Sequence, residues 1–299
     1  MKIIYKFYKP SEGLEEIQAQ IFNYNTGFKT TAEEVKDRYR QEKTNPRFVR
    51  YAFSDEGKPL AYIQARVSKD KNVLIGYPWA YPECPEKVQD VLFDEMLTYV
   101  KKKEPKQISY WILDDWEKQR QFFQHKGFEL TIEGFCYDFD VNLLSNHPFE
   151  GFGYPVRIAT PDDADLLVEL GSKDKEMKRH FSRIWLKDYF SKKVLKDGHC
   201  VLVFDKEGQI ICSSAPLRWK DDATDEEYIM LRFTATRPGY ENAWEPLVIA
   251  IAKECAAIGW TDLPIRVYGE KNSVIDQILK KYDPKPVSCY NLYTLKQEG

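Results

Sequence analysis

The chain repeats itself at an offset of about 150 residues, which restricts it to folds that can be built twice. The first half contains Lys9-Pro10-Ser11-Glu12, Asp55-Glu56-Gly57-Lys58, Tyr81-Pro82-Glu83 and Lys126-Gly127-Phe128. The second half answers in the same order with Thr160-Pro161-Asp162-Asp163, Lys206-Glu207-Gly208-Gln209, Arg237-Pro238-Gly239 and Tyr282-Asp283-Pro284. Pro10 and Pro161, like Gly57 and Gly208, stand 151 residues apart, whereas Pro82 and Pro238, like Gly127 and Asp283, stand 156 apart. One step in an otherwise constant offset is what a tandem duplication with one lengthened loop produces. The extra residues fall in the polar stretch Lys220 to Glu226, which suits a hairpin loop.

With 299 residues, each half is long enough to bury its own core. The net charge of −3 argues against a general nucleic-acid binder. No apolar run has membrane-spanning length, and the expected home is the cytoplasm. Cys84, Cys136, Cys200, Cys212, Cys255 and Cys289 lack the paired short spacing of a zinc site and read as free thiols. His125, His147, His180 and His199 lie on separate elements without ligand-spaced partners, so no metal is expected. There is no nucleophile elbow, Walker loop or dinucleotide fingerprint.

Hydrophobic periodicity predicts strand, two helices, a three-strand meander, helix, strand, helix and strand in each half. In the first half these are Ile3 to Tyr8, a helix capped by Ser11, a helix from about Thr31, strands Arg47 to Phe53, Pro59 to Val67 and Asn72 to Trp79, helix Pro85 to Lys103, strand Gln107 to Leu113, helix Trp116 to His125 and strand Phe128 to Val141. The second half repeats the order from Pro155 to Leu295, with its second helix near Arg183 to Leu195 and its last strand from Val287 to Leu295. The Asn, His, Pro and Gly between them mark a connector. The reading is therefore domains at 1–145 and 155–299 with a linker at 146–154: an α/β (α+β) chain of two tandem domains, each a mixed, mostly antiparallel sheet flanked by helices.

That order, with Val156-Arg-Ile-Ala-Thr-Pro-Asp-Asp-Ala164 opening one copy and Phe122-Phe-Gln-His-Lys-Gly-Phe128 closing the other, resembles the GCN5-related N-acetyltransferase (GNAT) superfamily. The resemblance implies that strands 4 and 5 of each copy splay apart to admit acetyl-CoA, with its pyrophosphate on backbone N–H groups at the start of the third helix. Glycine there lets the backbone approach, and the helix N-terminus supplies free donors. Both copies depart from the family's Gln/Arg-x-x-Gly-x-Gly/Ala loop. The first reads Pro82-Glu-Cys-Pro-Glu-Lys-Val-Gln-Asp90 and the second Pro238-Gly-Tyr-Glu-Asn-Ala-Trp-Glu-Pro246. The family's tyrosine acid is replaced by Phe123 and Leu279, neither of which donates a proton.

Carried over by position, the resemblance makes Thr234, Ala235 and Thr236 the strand platform for the cofactor, Asn242, Ala243 and Trp244 its phosphate turn, and Asn272 its neighbour along the pantetheine arm. Glu226 and Glu227 are the candidate general bases. Tyr77, Trp79 and Tyr81 alternate along one strand and form a candidate acceptor pocket, joined by Trp111 or Trp116, that stacks on a ring or encloses a cationic amine; the same residues suit simple core packing. Arg218 and Arg232, with Trp219, suggest a place for an anionic group. Two functions of different class follow. One is acyl transfer from acetyl-CoA to a small-molecule amine; the other is a binding or scaffolding module that has lost the cofactor. A transferase using aminoacyl-tRNA is a third, disfavoured by the absence of a basic surplus.

Overall fold

The computed structural model describes residues 2–41, 45–68, 70–148, 153–172, 186, 199–221 and 225–296. The first stretch runs β1 (Ile3–Phe7), α1 (Leu14–Thr26), α2 (Ala32–Gln41), β2 (Val49–Ser54), β3 (Pro59–Val67), β4 (Asn72–Ile75), β5 (Trp79–Ala80), α3 (Glu86–Lys101), β6 (Gln107–Leu113), α4 (Glu117–His125) and β7 (Phe128–Ile132). The second runs β8 (Gly134–Phe139), α5 (Val141–Ser145), β9 (Val156–Ile158), α6 (Ala164–Ser172), β10 (Val201–Phe204), β11 (Ile210–Lys220), β12 (Glu227–Thr236), α7 (Trp244–Ala257), β13 (Ile265–Glu270), α8 (Val274–Lys280), β14 (Lys285–Pro286) and β15 (Tyr290–Leu295). The helix expected near Arg183 to Leu195 lies, Leu186 apart, outside the described residues, as does part of the Lys220–Glu226 loop.

The periodicity of α3 is realised as read, with Val88, Leu92, Phe93, Met96 and Val100 all buried. Helix α1 starts otherwise than expected. Ser11 lies in a short 3-10 turn (Pro10–Glu12), and the N-cap of the helix is Gly13, whose φ of +65° is in the left-handed region.

The chain forms two compact units, one built from the residues up to Glu133 with those from Tyr290 on, the other from Gly134–Asp221 and Glu226–Cys289. In unit 1 the sheet order is β1-β2-β3-β4-β6-β15-β7, with β5 paired to β3. Only β4 and β6 are parallel among the described pairs. In unit 2 the order is β14-β8-β13-β12-β11-β10-β9, with β12 and β13 the parallel pair. Each unit thus has the same plan, but the last strand of each repeat completes the sheet of the other unit. β8 lies between β13 and β14, and β15 between β6 and β7.

This differs from the division at 146–154, and the cause is local. The segment Phe128 to Val141 is not one strand. It breaks at Glu133, and one residue is too short to turn β8 back antiparallel to β7, since even the tightest common hairpin loop needs about two. β8 therefore runs on into unit 2. Likewise, the predicted strand Val287 to Leu295 is strand only from Tyr290, where it enters unit 1.

Unit 1 packs α3 and α4 against the sheet through Phe93, Phe123 and Phe128, whose rings meet edge to face at 5.0 to 6.1 Å. Unit 2 has one core under α7, with Leu247, Ile251 and Cys255 against Ile229 and Ile265, and another where Leu167 and Leu170 of α6 meet Leu202 and Ala215.

Candidate functional site

In unit 2 the parallel pair is short. Strands β12 and β13 are in register at Ile229 with Ile265 and Met230 with Arg266, and no described pair follows. Past that point β12 carries a bulge against β11, between the pairs Ser213–Ala235 and Ala215–Arg232. Phe233 sits in the bulge with a φ of +51°, a left-handed conformation that is unfavourable for an aromatic residue and held only when the surroundings enforce it. Two buried serines do so. Ser213 Oγ donates to the Phe233 carbonyl at 2.9 Å, and Ser214 Oγ shares a hydrogen bond with Thr234 Oγ1 at 2.8 Å. Thr236 Oγ1 lies 3.0 Å from Cys212 Sγ, and Ala235 is buried. The expected platform Thr234–Thr236 is thus tied to β11 on one edge where its other edge has left β13.

The turn that follows is built on Arg237. Its buried guanidinium donates to the Ile210 carbonyl at 2.7 Å and to Glu169 at 3.2 Å. Gly239 adopts a φ of +86°, which a Cβ would strain. Its N–H donates to the carboxylate of Glu241 at 2.9 Å, so an anion already rests on the glycine of the turn. Asn242 is exposed, whereas Ala243 and Trp244 are buried and the Trp244 Nε1 has no partner. Asn272 also has a left-handed φ of +64°, and its N–H donates to Asp276 Oδ2 at 2.7 Å.

Glu226 and Glu227 stand elsewhere. Glu227 opens β12, six residues before Phe233 and so about 20 Å along the strand from the bulge. It accepts from Arg218 Nε at 3.1 Å, and Glu226 lies 3.3 Å from Arg266, which is itself bound to Asp138 at 2.7 Å. Both carboxylates are thus ion-paired at the opposite end of β12 from the bulge. Arg232 lies over the Trp219 ring at 5.9 Å, with its Nε buried and unpartnered. Arg218, one position from Trp219, faces the other way and is taken up by Glu227, so the two arginines do not converge.

Unit 1 has the same splay. β4 and β6 are paired from Asn72–Gln107 to Leu74–Ser109, after which the chain leaves the strand at Gly76. Gly76 N–H donates to the Gln64 carbonyl at 2.8 Å, and a Cβ there would stand 2.9 Å from that oxygen. Gly76→Ala is therefore expected to destabilise unit 1 by about 1–3 kcal/mol in thermal melts, the usual range for an overpacked buried site. Beyond Gly76 a cavity of about 320 Å³ opens, lined by Tyr77 and Trp79 together with Trp111 and Trp116. Tyr81 is not part of it and packs edge-on against Tyr24 at 5.7 Å. Burial pushes the Tyr110 hydroxyl well up, although Tyr77 N–H and the Trp79 side chain face it and pull the other way. At the start of α3, Glu83 pairs with Lys58 at 2.6 Å, and the Lys58 ammonium holds its carboxyl below the usual range. A carboxylate thus stands at this turn also.

No family model matches the sequence, and no curated protein does. Solved structures match over the whole chain. A GCN5-related N-acetyltransferase from Sphaerobacter thermophilus is 13% identical with a TM-score of 0.62, covering 98% of this chain and 95% of that one. A tandem GNAT protein from the clavulanic acid biosynthesis pathway is 10% identical with a TM-score of 0.61, covering 100% of both. A probable N-acyltransferase from Enterococcus faecalis V583 is 13% identical with a TM-score of 0.59, covering 98% of this chain and 72% of that one. The chain has the tandem GNAT fold.

Within the GNAT frame, Phe123 and Leu279 at the tyrosine positions are both fully buried. Among the described residues no cluster of His, Cys, Asp or Glu is arranged to hold a metal, and no helix is long and apolar enough to cross a membrane. Sequence reading passed over Glu241 as a ligand of Gly239, over Asp276 as the holder of Asn272, and over Arg38 and Arg66 in the unit 1 cavity. Asp276 alone had a local signal, since Ser273-x-x-Asp276 has the spacing of a capping box.

Proposed function

We propose that the protein is an N-acyltransferase that moves an acyl group, most simply acetyl from acetyl-CoA, onto a small-molecule amine, and that the working cleft is that of unit 2. The observation that carries this reading is the strained bulge at Phe233, held by two buried serines where β12 leaves β13. In the frame that the resemblance implies, a strand-4 N–H beside this bulge polarises the thioester carbonyl, which gains negative charge as the amine attacks. The neutral amine adds to the carbonyl carbon, the carbon–sulfur bond breaks, CoA leaves as thiolate and the amine proton passes to solvent. With Glu226 and Glu227 away from the bulge, kcat/KM is expected to rise with pH up to the amine's own pKa, without a lower enzyme pKa. An inflection near neutrality would point to a side-chain base. The five buried free thiols fit a reducing, cytoplasmic setting.

The phosphate turn fits the cofactor only when the Glu241 carboxylate vacates Gly239. Acetyl-CoA at millimolar concentration is expected to raise the Tm of the protein, because a ligand above its Kd stabilises the fold that binds it. Glu241→Ala is expected to strengthen that shift and Asn242→Asp to abolish it. Asn242 is exposed, so the second change adds charge without disturbing the core. No shift in either the natural protein or Glu241→Ala would sink the transferase reading. It would favour the alternative, a GNAT-fold binding module, which draws support from the occupied Gly239 N–H and the missing proton donors.

A further inference from the structure

The face of the unit 2 sheet that turns away from the α7 core carries two arginines in opposite states. Along β12 the alternation puts Ile229 and Leu231 toward that core, and Tyr228, Met230 and Arg232 on the other side, level with Trp219, Leu217 and Ala215 of β11. Arg266 of β13, level with Met230, shares this face. Asp138 of β8 holds it side-on, accepting from Nε at 2.7 Å and from Nη2 at 2.8 Å, and the guanidinium lies over the Tyr228 ring at 4.1 Å. Two parallel charge-assisted bonds of this kind satisfy the planar fork of an arginine.

Arg232 has the ring without the carboxylate. It lies over Trp219 as Arg266 lies over Tyr228, but its guanidinium makes no hydrogen bond or ion pair among the described residues. Its Nε is buried with no partner, and a buried donor of a charged group left unmet is costly and rare. The side chain as a whole is only half-buried, so a ligand reaches the guanidinium from its terminal nitrogens. Glu226 and Glu227, at the start of β12, are held by Arg266 and Arg218. Position adds to this. Arg232 is the first residue of its face beyond the last described pair of β12 with β13, and it directly precedes Phe233 of the strained bulge. Its guanidinium leans along the sheet to Trp219, the partner of Tyr228, so the charge and the bulge are set apart along the strand.

We infer that Arg232 binds a carboxylate on the acceptor, so that the substrate class is an amine with a carboxylate several bonds away. The inference rests on the transferase reading of unit 2. A single guanidinium matches the single charge of a carboxylate, whereas a phosphate dianion calls for further donors. The test pairs acids with their amides, from glycine through 4-aminobutanoate to 6-aminohexanoate, with phosphoethanolamine as the phosphate arm. Acetyl transfer to the longer acids should show a kcat/KM about tenfold above that to their amides, the usual worth of a charge-assisted hydrogen bond. Arg232→Ala should lower it about tenfold for those acids, chiefly through KM, and change the amides by less than about twofold. Arg232→Lys should restore part of the loss, and Arg218→Ala should keep the acid preference. An equal response of acid and amide to Arg232→Ala would overturn the proposal. So would glycine as the best acid, or phosphoethanolamine as good as the longer acids. Calorimetry of the same acids and amides on the natural protein, with and without acetyl-CoA, needs neither turnover nor a variant that folds. No acid bound more tightly than its amide would overturn the proposal, whatever acetyl-CoA does. A preference for the acids in a protein that ignores acetyl-CoA would leave the carboxylate site standing while the transferase reading falls.

Discussion

Deleting residues 290–299 is expected to unfold unit 1, although every other strand of that unit lies before residue 134. β15 is paired on both edges, from Tyr290 to Thr294 with β6 and from Leu292 to Leu295 with β7. Its Leu292 and Tyr293 are buried, and Thr294 Oγ1 accepts from Gln107 at 3.0 Å. Burial of two such side chains contributes about 3–6 kcal/mol, and the deletion also strands ladder groups on both neighbours. Losses of that order approach the whole stability of a domain, about 5–15 kcal/mol. Calorimetry of the truncated chain should lose one unfolding transition, and amides of β6 and β7 should lose protection from hydrogen exchange. A synthetic peptide spanning 288–296 should restore both by strand addition. Persistence of both transitions without the peptide would refute this account of the fold.

Asp276→Ala is expected to destabilise unit 2 by about 3 kcal/mol, because it leaves a buried hydroxyl and a backbone amide without acceptors. The carboxylate is fully buried and accepts from Tyr137 Oη at 2.8 Å, from Asn272 N–H at 2.7 Å and from Lys280 at 2.8 Å. It therefore ties β8 and α8 together and holds Asn272 in its left-handed conformation. The pH dependence follows from the sign of the shift. Burial alone would raise the Asp276 carboxyl, but Lys280, the Asn272 N–H and Tyr137 together hold it below the usual range. A carboxyl lowered in the folded state contributes stability above its unfolded pKa of about 3.9, and that contribution fades as pH falls through the folded value. The gap in Tm between the natural protein and Asp276→Ala should be full at pH 7 and close below about pH 4. Asp163, held low chiefly by Arg157, weakens unit 2 over the same acid range in both proteins. Asp276→Asn is expected to retain part of the stability, since the amide oxygen still accepts one hydrogen bond. A variant as stable as the natural protein at pH 7 would refute the role.

Local rules reached far in this chain. Gly57 and Gly208 both take a φ of +84° in the turns that opened the reading, and the inward stripe of α3 lies where its spacing put it. Those features depend on backbone freedom and side-chain period, which are properties of a few neighbouring residues. What meets Glu226 and Glu227, Arg266 and Arg218, was not legible, because a carboxylate's surroundings depend on residues from other parts of the chain. Tyr77 and Trp79 line a cavity that Arg38 also reaches, from a helix nearly 40 residues away in the chain.

By itself the amino-acid sequence determined that the molecule is a doubled scaffold, because strand, helix and turn signals are local and recur in step. Only the tertiary structure decided that each repeat lends its last strand to the other unit, that Glu241 rests on Gly239, and that two arginines line a cavity of aromatic rings. These are pairings between residues distant in the chain, and pairing across distance is settled by packing and geometry.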